Sequence, residues 1–170
     1  MTVGGAFGHA RRLATGSISL PVLPETRSRS RNGARRGHIV AAMPLEPGLS
    51  ATFDHAVTAA DTAEVLGSGD VPVLGTPKVL ALCEQATVQA LAGNLEEGST
   101  TVGSGVQLDH LAPTLTGKSV KVEATLAKVE GRRLVFVVKV NDDRGLVAAG
   151  KITRALVDRA RFLDKAGDGS

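Results

Sequence analysis

The chain has 170 residues, which allows one globular domain and leaves little room for a second. Hydrophobic residues make up 42% and charged residues 22%, so the chain as a whole reads neither as a disordered tail nor as a membrane protein, and its longest apolar runs, such as Leu134–Val138, fall far short of the roughly 20 residues of a spanning helix. One cysteine, Cys83, excludes an internal disulfide and a cysteine-built zinc site, and fits a reducing compartment.

The net charge of +3 conceals an asymmetry. Residues 1–43 hold seven Arg, no Lys and one acid, Glu25; the remainder holds thirteen basic and sixteen acidic residues. Met1–Met43 shows no sustained period of 2 or 3.6, and Arg27-Ser28-Arg29-Ser30-Arg31 cannot bury a face, so the segment is expected to be disordered. Rich in Arg and Ser and poor in acids, it reads as an organellar transit peptide; Val40-Ala41-Ala42-Met43 resembles plastid processing sites, which puts the chloroplast first and the mitochondrion second. The alternative is a basic arm. Nucleic acid is not expected as a partner of the body of the protein, which is mildly acidic and, without Trp or Tyr, lacks stacking platforms.

From Pro44 onward the pattern is that of a folded domain, 44–170. Residues 50–57 suit a first strand, and Asp61 is placed to cap a short helix through Leu66. Gly67-Ser68-Gly69-Asp70 breaks the chain. Thr76 then suits a helix N-cap, Pro77 the first helical position and Gly93-Asn94 the end. Between them Val79–Leu91 is apolar on nearly every side, which predicts a helix surrounded by protein.

After this helix the period changes to two. Residues 101–108 make a candidate strand; Val120, Val122, Ala124 and Leu126 alternate with polar neighbours, as do Leu134, Phe136, Val138 and Val140, and a last strand runs from about Leu146 to Val157. Turns fall at Gly131 and at Asn141–Gly145. A strand, one long apolar helix and an antiparallel meander predict an α+β fold with a curved antiparallel sheet wrapped around a central helix, as in the hot-dog fold.

Glu84 is the only charged residue between Lys78 and Glu96, inside the apolar helix. An unpaired buried carboxylate is costly and favours its protonated form, which makes Glu84 a candidate general base or nucleophile; an exposed stripe with Gln85 and Thr87 is the plainer alternative. His110 follows the 101–108 strand and, taken alone, is as readily structural as catalytic. His55 reads as exposed or structural, and Cys83 as a small core residue. Gly103-Ser104-Gly105 is not a nucleophile elbow, the glycines form no phosphate loop, and no metal-ligand cluster is present.

Leu74 to about Val157 resembles the fluoroacetyl-CoA thioesterase-like branch of the hot-dog thioesterases. The pattern is a Thr before the central helix, a Glu eight residues on and a His twenty-six after that, matched here by Thr76, Glu84 and His110. Gly103 matches a family glycine near the reacting carbonyl, Glu130-Gly131-Arg132-Arg133-Leu134 the family hairpin, and Gly150 through Arg154 to Leu156 its last strand. The resemblance implies an acyl-CoA thioesterase needing no cofactor. Glu84 would act as base or nucleophile, His110 would position the thioester or move a proton, Thr76 would orient Glu84 or a water, and Gly103 and Arg154 would contact substrate. It also implies a homodimer. Because Thr76 and Glu84 are separated by about 12 Å of helix rise, the set is expected to be completed across a two-fold axis, Thr76 of one subunit serving Glu84 of the other. The branch carries aromatic residues before its Thr, whereas Gly67–Val73 has none, so a less selective short or medium acyl-CoA enzyme is expected. A hot-dog dimer that binds acyl-CoA or a protein without turnover, and more distantly a dehydratase, are the alternatives.

Overall fold

The computed structural model describes residues 45–167; the expected transit peptide lies outside them. β1 (Ser50–Ala56) leads through a 3-10 turn (Ala59–Asp61) and a loop to the long helix α1 (Thr76–Ala90). β2 (Ser99–His110), β3 (Ser119–Glu130), β4 (Arg133–Asp142) and β5 (Gly145–Asp158) follow, and a short helix, α2 (Arg159–Gly167), ends the described chain. The five strands form one antiparallel sheet in the order β1-β3-β4-β5-β2. α1 packs on one face of it, which is the expected hot-dog arrangement.

The alternation read from the sequence decides which face is buried. Val120, Val122, Ala124 and Leu126 of β3, Leu134, Phe136, Val138 and Val140 of β4, and Ile152 of β5 all point at α1, which answers with Val79, Leu82, Cys83, Ala86 and Ala90. Burying a side chain of this size is worth about 1.5–3 kcal/mol, so this single layer between helix and sheet is the main source of stability. Burial pushes the Cys83 thiol up to about 12, as befits a small core residue.

Four local expectations are corrected. The helix cap is Gly75, in extended conformation, and the Thr76 hydroxyl makes no capping bond. A Cβ at Gly75 would press on the Ala63 backbone, so the cap is the residue that fits there. Asp61 starts no helix: it is buried and accepts from the amide and hydroxyl of Thr58, closing the 3-10 turn behind it. α1 is not enclosed on all sides within one chain, since Ala81, Gln85 and Val88 (51% exposed) face outward; a single sheet has only one face to offer a helix. α2 is an addition to the elements expected from the pattern. Its start is set by Asp158, whose Oδ1 accepts from the Arg161 amide at 2.9 Å.

Three irregularities bend the sheet, one of them where β5 skips Val147 against β4 between Val140 and Asn141. β2 skips a residue against β5 between Gly103 and Gly105, and β3 skips one against β4 between Leu126 and Lys128; such bulges re-aim neighbouring groups and sharpen the twist. β2 is also an edge strand, and from Gly103 to Gln107 every residue is exposed and none is charged. Among the described residues no helix is long and apolar enough to cross a membrane.

Candidate active site

α1 and β2 between them carry four of the five residues that the sequence singles out. Thr76 begins the helix and His110 ends the strand, and their side chains meet: Thr76 Oγ1 and His110 Nδ1 are hydrogen-bonded at 2.9 Å. His110 Nε2 is buried and has no partner among the described residues. An imidazole held by one nitrogen, with the other unspent in a dry place, is oriented for a polar group that comes from elsewhere.

Two turns along the helix lies the second group. Glu84 reaches back to β2 at Gly103, so closely that a Cβ there would collide with Glu84 Oε1. The same oxygen lies 3.7 Å from Arg154 Nη1. Gly103 pairs directly with Arg154 across the β2–β5 ladder, which is why the helix carboxylate, the strand glycine and the guanidinium converge. Glu84 is neither deeply buried nor unpaired, contrary to expectation: its side chain is 37% exposed, and the counter-charge lies underneath it.

Arg154, expected to contact substrate, is instead buried below the carboxylate. It lies on the sheet face that receives α1, and its donors are taken up accordingly. Nε donates to Thr101 Oγ1 at 2.9 Å, Nη2 to Thr101 O at 2.8 Å and Nη1 to Thr87 Oγ1 at 3.3 Å. Thr87 in turn donates to Glu84 O at 2.6 Å, tying the guanidinium to the turn of helix that carries the carboxylate. Burial pulls the Arg154 guanidinium below its ordinary value, and Glu84 draws it back up. Buried hydroxyls of this kind leave little trace in a sequence: Thr87 reads there as part of an exposed stripe with Glu84 and Gln85, yet it is fully buried, and Thr101 reads as an ordinary strand residue.

A third cluster supports the first. Asp61 Oδ1 pairs with Lys78 Nζ at 2.9 Å, and Oδ2 receives His55 Nε2 at 3.1 Å and both Thr58 donors. Burial would raise the Asp61 carboxyl, but Lys78, then Thr58, then His55 outweigh it and hold it well below the usual carboxylate range. The Asp61 carbonyl also accepts from the Gly75 amide at 2.9 Å. Asp61 therefore grips the helix on both sides of Thr76, and His55, read as exposed or structural, belongs to that grip.

Within one chain, then, Thr76 and His110 form one pair, and Glu84, Gly103 and Arg154 form another group further down the same helix. The profile of the fluoroacetyl-CoA-specific thioesterase family matches residues 57–160, a span that contains both. The chain belongs to that family of hot-dog thioesterases. It is 36% identical over 93 residues to a fluoroacetyl-CoA thioesterase of Streptantibioticus cattleyicolor, which covers 55% of this chain and 67% of the relative. A solved fluoroacetyl-CoA thioesterase structure superposes with a TM-score of 0.69 at 30% identity, over 74% of this chain and 98% of the other. A thioesterase superfamily member from Thermus thermophilus gives 0.66 at 30% identity, over 75% and 98%.

Proposed function

We propose that this chain hydrolyses a short or medium acyl-CoA thioester to the free acid and CoA, as a homodimer in which each active site draws on both protomers. The observation that carries the reading is the placement of the Glu84 carboxylate against Gly103 and over Arg154, at spacings from Thr76 and His110 that the family shares. The relatives are named as thioesterases of a CoA ester.

Glu84, fixed in direction by Arg154, takes a proton from a water as that water attacks the thioester carbon; direct attack by the carboxylate is the second route open to the same group. The carbonyl oxygen gains the negative charge and is received by backbone N–H groups beside Gly103, where the lack of a side chain lets the ester approach. Collapse of the tetrahedral adduct breaks the carbon–sulfur bond and releases the CoA thiolate. His110 supplies the other wall: in the tautomer in which Thr76 donates to Nδ1, the proton rests on Nε2 and is available to the thioester.

One helix separates the two groups by about 12 Å, so a single chain does not bring Nε2 to the carboxylate. A two-fold partner resolves this, its Thr76–His110 pair facing this chain's Glu84. The uncharged edge of β2 and the outward Ala81, Gln85 and Val88 of α1 suit such a partner. On the substrate side, Gly67–Val73 supplies no aromatic cover, and Val71 is exposed. Fluoroacetyl-CoA, named for the relatives, is therefore one acyl group among several that this chain accepts.

Free-thiol release from a panel of acyl-CoAs tests the reading. Release is expected from the wild type, with losses of about a hundredfold or more in Glu84→Gln and His110→Ala. Mixing Thr76→Ala chains with Glu84→Ala chains should restore about a quarter of wild-type activity, because each heterodimer rebuilds one complete site. Binding without release would make the protein an acyl-CoA binder, and a mixture that stays inactive would remove the sharing between subunits.

A further inference from the structure

α2 buries no side chain, yet it helps to frame a concentration of positive charge. Arg161 and Lys165 lie one turn apart and share a face. With Arg132 from the β3–β4 turn and the ring of Phe162 they line a hollow of about 200 Å³ over Val157. Arg132 donates its Nε to Leu156 O at 2.9 Å, which fixes the guanidinium and leaves its terminal nitrogens for the hollow. Asp158 is the one acid in the lining, and it is engaged as the cap of α2. Among the described residues none of these three cations pairs with a carboxylate.

Phe162 is 43% exposed, whereas Phe136 is fully buried and Phe53 packs against the core. A solvent-facing ring between guanidinium and ammonium groups does nothing for the core. It does match what an adenine nucleotide presents, a flat base to stack and phosphates that guanidinium groups bind in a fork. The position fits as well. Asp158 is four residues beyond Arg154 on β5, about 13 Å at the rise of an extended strand, and Arg154 marks the Glu84 carboxylate. An extended pantetheine arm spans a separation of that order.

We infer that this hollow holds the 3′-phospho-ADP end of the CoA substrate, an assignment that rests on the proposed thioesterase activity. Two measurements on the full chain test it: calorimetric binding of adenosine 3′,5′-bisphosphate, and turnover of acetyl-CoA beside acetyl-pantetheine, which lacks the nucleotide. Arg161→Glu and Lys165→Glu are surface changes whose folding is checked by Tm. Each should weaken bisphosphate binding and raise KM for acetyl-CoA about tenfold, the weight of one charge-assisted contact, with no matching penalty on acetyl-pantetheine. Phe162→Ala should do the same to a smaller degree. The assignment is overturned if the wild type does not bind the bisphosphate, or if the variants affect both thioesters equally or neither. If neither thioester is cleaved, the hydrolase reading fails, and bisphosphate binding alone decides the cradle.

Discussion

Gly103→Ala separates a role in chemistry from a role in folding. The added Cβ would fall well inside van der Waals contact of Glu84 Oε1, while its next neighbour, Glu84 Cδ, would lie at 3.5 Å. The obstructed atom is the end of a flexible side chain, so the clash is relieved by moving the carboxylate about 1 Å to an ordinary contact distance. The stability cost is then small, about 1 kcal/mol or less for one adjusted rotamer, and Tm should shift by only a few degrees. Activity should fall about a hundredfold, the usual cost of a 1 Å misplacement at a reacting centre. Gly150→Ala is the control. Its Cβ would strike the Gln107 carbonyl and Leu108 Cα, which are backbone atoms that cannot rotate aside, so this variant should lose several kcal/mol, about 3 or more. Thermal denaturation and thiol release on both proteins decide the matter. A fully active Gly103→Ala, or one as unstable as Gly150→Ala, would refute the placement of Glu84.

Two ionisable groups give further outcomes. The Asp61 carboxyl is held below its ordinary range in the folded state, so its stabilising contribution is present above the unfolded value of about 4 and is lost as pH falls through the folded one. Asp61→Asn should therefore cost about 3–5 kcal/mol at pH 7, with the gap to wild type closing in acid, as read from urea midpoints at pH 7 and below pH 4. Cys83 behaves in the opposite sense. With the folded thiol pushed up to about 12, it should resist a thiol reagent at pH 8 until urea unfolds the chain, and stability should decline as pH rises from about 9 towards 12; rapid native labelling would place the thiol outside the core.

How far a sequence can be read here depends on the range of the interaction. A period of 2 marks β3 and β4 because each buries a single face, and one face imposes one period, whereas α1 shows as an apolar run between helix start and stop signals. Thr76 reads as a cap because capping is local and common, whereas its bond to His110 spans thirty-four positions and belongs to the tertiary fold. Glu84 stands out as a charge in an apolar helix, but its counter-ion comes from the last strand, and nothing around Arg154 distinguishes it from a solvated arginine. Asp61 is misread for the same reason: Asp before a short apolar run is a capping signal, and the distant Lys78 and His55 decide otherwise. The Leu126/Lys128 slip does leave a trace, since strict alternation stops after Leu126. Among the described elements, the short, highly charged Arg159–Gly167 segment lacks a burial signal, because that helix buries nothing.

Of the five positions in the two groups, four ride on just two elements, Thr76 and Glu84 on α1, Gly103 and His110 on β2. Insertions and deletions therefore have very different consequences along this stretch. One residue gained inside the helix between Thr76 and Glu84 would rotate one against the other by about 100°, and one gained in the strand between Gly103 and His110 would turn one of them to the opposite face. The connection between Leu91 and Gly98 stands outside both rules. Chain length there is free to drift while the chemistry stays in phase.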